Sequence, residues 1–483
     1  MNASLQPALP SLSWLGIARL GLVQAMLGAV VVLTTSTLNR VMVVELALPA
    51  LLPGLLVALH YAVQLSRPRM GFGSDVGGRR TPWILGGIAT LALGGAGAAV
   101  ATTWMAHDRL AGIALAALAF IAVGLGVSAG GTSLLVLLAK RVEEPRRAAA
   151  AAVVWVMMIV GFAVTAGVSG HFLDPYTPQR LIAVSSVVSL FAVCVTALAL
   201  WGLEGHGHQA PTPAKARPDF RQALAEVWAE PDARRFTIFV FVSMLAYSTQ
   251  DLILEPFAGA VFGFTPGAST SLSGVQHGGT LAGMLLAALA GRRVGGTRLG
   301  SLRAWTVGGC VASALALLGL VLAGALAPHW PLRANVFALG VANGAFSIAA
   351  IGSMMSLASG GRSATAGSAS AASAGSAGSA ATPAREGTRM GLWGAAQAIG
   401  FAAGGLFGAA ASDVARWLIG SFGSAGDVAG PGTAYAAVFF IEAGMFIVAA
   451  LLAAKVSGTY RSVGAEIATP TPAGRADVPG LQA

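Results

Sequence analysis

Long apolar stretches separated by short polar connections dominate the pattern of this chain. A bilayer core of about 30 Å is crossed by about 20 helical residues. Stretches of that length, apolar on all sides, predict membrane-spanning α-helices. The twelve predicted spans are residues 14–37, 47–66, 82–104, 110–138, 149–172, 180–203, 236–260, 268–291, 303–327, 332–358, 389–413 and 432–455.

The spans fall into two sets of six on either side of one polar connection. We predict an N-terminal six-helix bundle over residues 1–203, a cytoplasmic linker over 204–235 and a C-terminal six-helix bundle over 236–455. Residues 359–388, rich in Gly, Ala and Ser, are predicted to be a low-complexity loop. Residues 456–483 are polar and are predicted to form a mobile cytoplasmic tail.

Composition supports a polytopic membrane protein, because 55% of the 483 residues are hydrophobic and only 10% are charged. The net charge of +10 belongs to scattered connections, so membrane orientation explains it better than a nucleic-acid partner. With both termini in the cytoplasm, that side receives all but five of the 29 Lys and Arg residues. Those five are Arg40, Arg109, Arg180, Arg333 and Arg416.

The cysteine and histidine residues give little support for a metal site or a disulfide. Cys194 and Cys310 lie in separate apolar spans without a CxxC spacing, which indicates neither a disulfide framework nor a metal site. His206 and His208 form an H-x-H pair in the linker, where no third ligand is near, so a solvated linker is the favoured interpretation.

The connection between the second and third spans carries Gly71, Asp75, Gly78, Arg79 and Arg80 in the pattern G-x-x-x-D-x-x-G-R-R. This pattern resembles the signature loop of major facilitator transporters, and the resemblance implies their two-bundle fold. The glycines permit a tight turn, and the aspartate can pair with a cation or cap a helix. The alternative is an ordinary cytoplasmic loop with turn glycines.

Two acidic residues of the seventh span are candidates for function. A charge at the bilayer centre costs roughly 2.5 to 3.5 kcal/mol, so buried ionisable groups indicate function. Asp251 and Glu255 are four residues apart and share a helical face, and Pro256 follows, where the helix is expected to kink or end. They form either a proton-coupling or ligand-binding pair, or a hydrated pair at the outer interface.

Asn39, Arg40 and Glu45 lie at the corresponding place of the first half. Arg40 can pair locally with Glu45 or, across the two halves, with Asp251 or Glu255. A cross-half pair would act as a gate, whereas a local pair would be interfacial; we favour the local pair.

His60 in the second span and His277 in the eighth occupy matching positions. A neutral imidazole can ligate the magnesium of a chlorin, although a lone membrane histidine is more often a hydrogen-bonded packing residue. Gln397 and Glu442 are further buried polar candidates without an assigned role.

Gly400, Gly404 and Gly408 form a doubled G-x-x-x-G in the eleventh span, which predicts close helix packing. No D-x-x-x-D diphosphate motif or phosphate-binding G-x-x-x-x-G-K-[ST] loop is present. We therefore expect no covalent catalysis.

Four segments together, TLNRVMVVELALPA, ALHYAVQLSRPRMGFGSDVGGRRTPWI, STQDLILEPFAG and RMGLWGAAQAIGF, resemble the PucC/LhaA family of phototrophic bacteria. The resemblance covers nearly all spans. Within the family, SLSGVQHGG and QDLILEPFAG are most similar to the member labelled bacteriochlorophyll synthase chain. The Gly-Ala-Ser loop and the tail depart from the family pattern.

The resemblance implies a non-enzymatic assembly factor for light-harvesting complexes, with bacteriochlorophyll as cargo. It implies antenna polypeptides and bacteriochlorophyll synthase as partners, and the bacterial inner, intracytoplasmic photosynthetic membrane as the location. His60 and His277 would then be pigment ligands, with Asn39, Arg40, Glu45, Asp251 and Glu255 as a polar lining. Two alternatives stay open: a proton-coupled secondary transporter of a small solute, and a pigment-free scaffold that docks antenna helices on the Gly400, Gly404 and Gly408 face.

Overall fold

The computed structural model describes residues 11–67, 70, 79–204, 225, 227–290, 293–294, 297–298, 300–358, 382–422 and 431–456. Twelve long helices hold most of these residues. A small antiparallel ribbon joins β1 (Arg293–Val294) to β2 (Thr297–Arg298), with Arg293 opposite Arg298.

The helices of the first half are α1 (Trp14–Glu45), α2 (Leu51–Ser66), α3 (Thr81–Trp104), α4 (Arg109–Arg141), α5 (Glu144–Leu173) and α6 (Pro178–Leu200). Those of the second half are α7 (Pro231–Phe262), α8 (Pro266–Ala290), α9 (Leu302–Leu326), α10 (Leu332–Ala358), α11 (Thr382–Phe422) and α12 (Pro431–Ala454). Helix α11 begins inside residues 359–388, the predicted low-complexity loop, and extends beyond both ends of the predicted span.

Ten of these helices are long and apolar enough to cross a membrane within the described residues. Helix α2 is shorter, and α8 is less apolar because His277, Gln276 and several Ser and Thr residues interrupt it. The prediction of an all-α, multi-pass membrane protein is confirmed, and the count of twelve includes these two weaker helices. Exposed tryptophans support the membrane assignment: Trp14 and Trp201 lie at one end of the helices, Trp104 and Trp417 at the other.

Short polar side chains begin several helices. Asp108 accepts a hydrogen bond from the backbone N–H of Ala111 at 3.1 Å, and Ser301 accepts one from Ala304 at 3.1 Å. Each bond satisfies a donor that the first helical turn leaves without an intrahelical partner.

The two halves repeat one packing pattern. In the first half α1 packs on α5 and α6, and α3 packs on α4 and α6; in the second half α7 packs on α11 and α12, and α9 packs on α10 and α12. The halves meet where α5 packs on α8 and where α2 packs on α11. This arrangement is the pseudo-twofold repeat expected of facilitator-like proteins.

The doubled glycine motif of α11 lies against α7. A Cβ atom on Gly404 would lie 2.2 Å from the carbonyl oxygen of Leu245, and one on Gly408 would lie 2.9 Å from the Thr249 side chain. Gly400 meets the carbonyl of Phe241 in the same way. Because α7 of the same chain covers this face, the face is not available for docking an antenna helix, and that part of the scaffold hypothesis is wrong.

Candidate functional site

The second part of α1 brings polar side chains to the other half of the molecule. Two wide π-type turns, Leu33–Thr37 and Val41–Glu45, flank Asn39; such turns re-aim side chains and are frequent at functional sites. The Asn39 amide donates to the carbonyl of Leu252 on α7, and the hydroxyl of Thr37 lies 3.0 Å from that of Thr270 on α8.

Arg40 makes both a local and an inter-half contact. Its guanidinium pairs with Glu45 and donates to the carbonyl oxygen of Phe264 at 2.6 Å. Gly259 on α7 permits this approach, since a Cβ there would lie 2.9 Å from the guanidinium. The ion pair is therefore the local one, while the carbonyl of Phe264 supplies the connection between the halves.

The two carboxylates of α7 both face α8. Glu255 is buried, and its Oε1 accepts a hydrogen bond of 2.6 Å from Ser273, whereas its Oε2 accepts no hydrogen bond of normal geometry from a described residue. Asp251 is half-buried and accepts a long hydrogen bond, 3.4 Å, from Gln276. Helix α7 continues through Pro256 to Phe262. The burial of Glu255 does not fit a hydrated residue at the outer interface.

Aromatic residues surround Asp251, and the sequence reasoning missed them. The ring of Tyr61 on α2 stacks on Phe401 of α11, with centroids 5.5 Å apart, and Tyr247 meets Phe401 edge-on at 5.9 Å. Both tyrosines lie within electrostatic reach of Asp251. The signal in the sequence was Tyr247, one helical turn before Asp251 on the same face.

The environment of His277 fixes its tautomer. Its Nδ1 lies 2.8 Å from the carbonyl oxygen of Ser273. A carbonyl only accepts, so Nδ1 carries the proton and Nε2 keeps the lone pair. The ring of Phe162 on α5 packs edge-on at 5.0 Å. The nitrogen with the lone pair is the one that could bind a metal.

His60 has the same tautomer as His277, but the lone pair on its Nε2 is occupied. Arg67 donates to Oε1 of Gln64, so the amide nitrogen of Gln64 points at His60, and it lies 2.8 Å from Nε2. An amide nitrogen only donates, hence Nε2 accepts and Nδ1 carries the proton. Nδ1 is buried and has no hydrogen-bond partner within the described part of the chain. The lone pair of His60 is therefore already used within the protein.

The facilitator-like loop is described only in part. Gly71, Asp75 and Gly78 lie outside the described residues, whereas Arg79 is exposed and Arg80 is buried. Glu204, beyond the end of α6, accepts hydrogen bonds from the backbone N–H groups of Arg80 and Thr81, the second at 2.7 Å, where α3 begins. Burial alone would raise the pKa of Glu204, but these bonds and one from the Thr81 side chain hold that pKa below its usual value.

Two aspartates cap helices of the opposite half. Asp413 on α11 accepts from the backbone N–H groups of Ala50 and Leu51 at the start of α2, at 3.0 and 2.7 Å. Asp174, after α5, accepts from the hydroxyl of Thr265 at 2.8 Å and from the N–H of Gly267 at 3.3 Å, at the start of α8. The sequence reasoning missed both, because a carboxylate near a helix end carries no sign of which helix it caps.

Three further sites flagged from the sequence add little chemistry. No group of three or more His, Cys, Asp or Glu within the described ranges could hold a metal ion, and His206 and His208 lie outside those ranges. Cys194 is exposed and Cys310 is buried, and both are free thiols. The Gln397 amide lies 3.8 Å from the sulfur of Met244.

This architecture defines a membrane protein of the major facilitator type. A D-xylose–proton symporter superposes with a TM-score of 0.63 at 14% identity, covering 92% of this chain and 98% of that one. A bacterial homologue of the human lysosomal transporter Spinster gives 0.61 at 16% identity, covering 92% and 96%. At these identities the likeness concerns the fold alone.

The chain belongs to the PucC family. The PUCC protein family matches residues 37–460. The bacteriochlorophyll synthase 44.5 kDa chain of Rhodobacter capsulatus is 51% identical over 446 residues, covering 92% of this chain and 96% of that protein. The protein PucC of Rhodobacter capsulatus is 30% identical over 456 residues, covering 90% of both. The predicted family is confirmed.

Proposed function

We propose that this protein is an assembly factor for light-harvesting complexes that handles or delivers bacteriochlorophyll in the photosynthetic membrane. The observation that carries the proposal is the family match, which spans both halves, together with the 51% identity to a chain named for bacteriochlorophyll synthesis. Antenna polypeptides and bacteriochlorophyll synthase are its proposed partners. The proposed location is the intracytoplasmic photosynthetic membrane, with both termini in the cytoplasm.

A non-enzymatic role is favoured over catalysis. The transporter-type fold and the PucC family support it, even though a relative carries the word synthase in its name. Such a name also fits a chain that works beside the true synthase and receives its product.

His277 is the better of the two proposed pigment ligands. A chlorin magnesium needs an imidazole nitrogen with a free lone pair. The Nδ1–H of His277 is held by Ser273, which leaves Nε2 for the metal. His60 would first have to release Gln64. The lining residues Asn39, Arg40, Glu45, Asp251 and Glu255 are proposed to orient the cargo or to gate its path.

The test is the absorption spectrum of tagged full-length protein, purified in mild detergent from pigmented membranes and separated from antenna complexes by size exclusion. A bacteriochlorin band that co-elutes in stoichiometric amount is expected. A colourless and well-folded preparation would overturn pigment handling and leave the scaffold or the transporter.

Histidine variants test the ligands separately. We expect His277→Phe to lose most of the band and His60→Phe to lose less of it. His171→Phe, at an exposed site near the end of α5, is the matched control. Unchanged occupancy in both single variants and in the double variant would exclude these ligands.

A proton-coupled transporter of a small solute is the second candidate. It is favoured by Asp251, a half-buried carboxylate that faces both halves between Tyr61 and Gln276 and has no ion-pair partner in the described chain. The variant Asp251→Asn, reconstituted in vesicles, should then abolish solute-dependent proton flux. Flux equal to that of the wild type, or no flux with either protein, would remove this candidate.

A further inference from the structure

The strongest unassigned feature is a glutamate in the middle of α12. Glu442 is fully buried, its carboxyl group lies near the backbone of Gln250, and neither carboxyl oxygen makes a hydrogen bond of normal geometry to a described residue. Its helix neighbours Phe439 and Phe446 belong to the apolar core of the second half. A carboxylate in such surroundings is costly unless it is paired or neutral.

Gln250 on α7 adds a second, independent observation. Its side chain is also fully buried, and neither its amide oxygen nor its amide nitrogen has a hydrogen-bond partner among the described residues. Two unpartnered polar side chains on packed helices are rare inside proteins, where nearly all buried polar groups are satisfied. The ionisable neighbour whose charge reaches Glu442 is Asp251, which is itself acidic. No cation therefore compensates an ionised Glu442 in the described surroundings.

We propose that Glu442 and Gln250 form a buried proton-binding site, in which Glu442 is held as the neutral acid and exchanges its proton with Asp251. Gln250 and Asp251 are consecutive on α7, so they project about 100° apart. The backbone of Gln250 lies beside Glu442 of α12, which packs on α7, whereas Asp251 contacts Gln276 of α8. In the exchange Glu442 loses one proton and becomes a carboxylate as Asp251 becomes an acid.

A proton fits this site better than a metal ion. Hard cations such as Ca²⁺ require six or more oxygen ligands, whereas Glu442 and Gln250 together offer three side-chain oxygens. Glu442 and Asp251 interact electrostatically. Two interacting carboxyl groups do not both ionise readily, so a proton can reside on either of them. The site would thus carry a proton between the interior of the second half and the inter-half surface, independently of the cargo.

Infrared spectroscopy of the full-length protein in lipid nanodiscs tests this proposal. At neutral pH the wild type should show the carbonyl stretch of a protonated carboxyl group, and Glu442→Gln should lose that band. Glu442→Leu, which suits the apolar surroundings, gives the same test if the glutamine variant does not fold. Glu143→Gln, at an exposed residue, should leave the band unchanged.

The proposed proton exchange between Glu442 and Asp251 is tested separately with an Asp251 variant. In Asp251→Asn the Glu442 band should persist at neutral pH, but the pH at which it disappears should change, because the neighbouring negative charge is removed. A spectrum at neutral pH that is identical in wild type, Glu442→Gln and Glu442→Leu would overturn the proton site. A titration unchanged in Asp251→Asn would overturn the exchange.

Discussion

The hydrogen-bond donors around each carboxylate decide its role in this protein. Glu204, Asp174 and Asp413 each accept hydrogen bonds from backbone N–H groups at the start of a helix, where the helix dipole also favours a negative charge. Among the residues that the structure describes, none donates a hydrogen bond of normal geometry to Glu442. The residue types could be read from the sequence, but the donors come from distant helices, so only the folded chain separates a structural cap from a candidate proton site.

Glu204→Gln should weaken the junction between α6 and α3. Glutamine removes the charge and one of the two acceptor oxygens, and the loss of a helix cap costs about 1 kcal/mol. Because the pKa of Glu204 is lowered in the folded state, its stabilisation is present above the unfolded pKa of about 4.3 and is lost as pH falls through the folded value.

Apparent melting temperatures in detergent measure this effect. The variant should melt below the wild type at neutral pH, and the difference should shrink under acidic conditions. Glu143→Gln serves as the exposed control. A difference that does not change with pH would show that the charge of Glu204 is not responsible.

At the scale of elements, glycines decide how closely helices approach. Gly404 lets α11 touch the backbone of α7, and Gly283 does the same for α8 against α10, where a Cβ would lie 2.0 Å from the carbonyl oxygen of Val341. The doubled G-x-x-x-G of α11 indicated close packing from the sequence. Its partner could not be predicted, because the spacing of small residues contains no information about which helix is opposite.

Gly404→Ala should destabilise the packing of α7 on α11. The added methyl group meets a carbonyl oxygen of the backbone, which cannot rotate away, and overpacking of this kind costs about 1 to 3 kcal/mol. Gly394→Ala on the same helix is the control, since nothing lies within 4 Å of its Cβ. The apparent melting temperature in detergent should fall for Gly404→Ala alone. Equal melting temperatures of the two variants would contradict the close packing of α11 on α7.

For the whole molecule, inter-half hydrogen bonds gather at one end. Helices α2 and α8 begin there and α5 ends there, and the aspartates of opposite halves cap both helix starts. The contact from Arg40 to Phe264 lies at the same end. If both termini are cytoplasmic, this is the outer end, and the aspartates would hold the outer side closed.

The double variant Asp174→Asn/Asp413→Asn should loosen this closure. Each capping charge at a helix start contributes about 1 kcal/mol, so removing both should raise the labelling of a buried cysteine at the half interface roughly thirtyfold. The probe is Thr37→Cys in a chain with Cys194→Ser and Cys310→Ser, treated with a thiol reagent. Asp108→Asn, which removes the charge of a cap inside one half, should leave labelling unchanged, and equal labelling in all variants would contradict the closure.

The predicted orientation can be measured directly. Cysteines placed near Trp14 and Trp201 should be protected from a membrane-impermeant thiol reagent in intact cells, whereas cysteines near Trp104 and Trp417 should react. The expectation rests on the asymmetric distribution of Lys and Arg. Reaction at the first pair and protection at the second would reverse the orientation.

The sequence by itself determined the membrane class, the facilitator-like fold and the family, because apolar length and basic loops are set by the bilayer and are visible residue by residue. Only the tertiary structure decided which nitrogen of His60 and His277 keeps a lone pair, which helices Asp174 and Asp413 cap, and that Glu442 and Gln250 lie together without partners. These properties depend on donors and acceptors supplied by other helices. The pattern of residues along one span does not indicate which donors and acceptors the other helices supply.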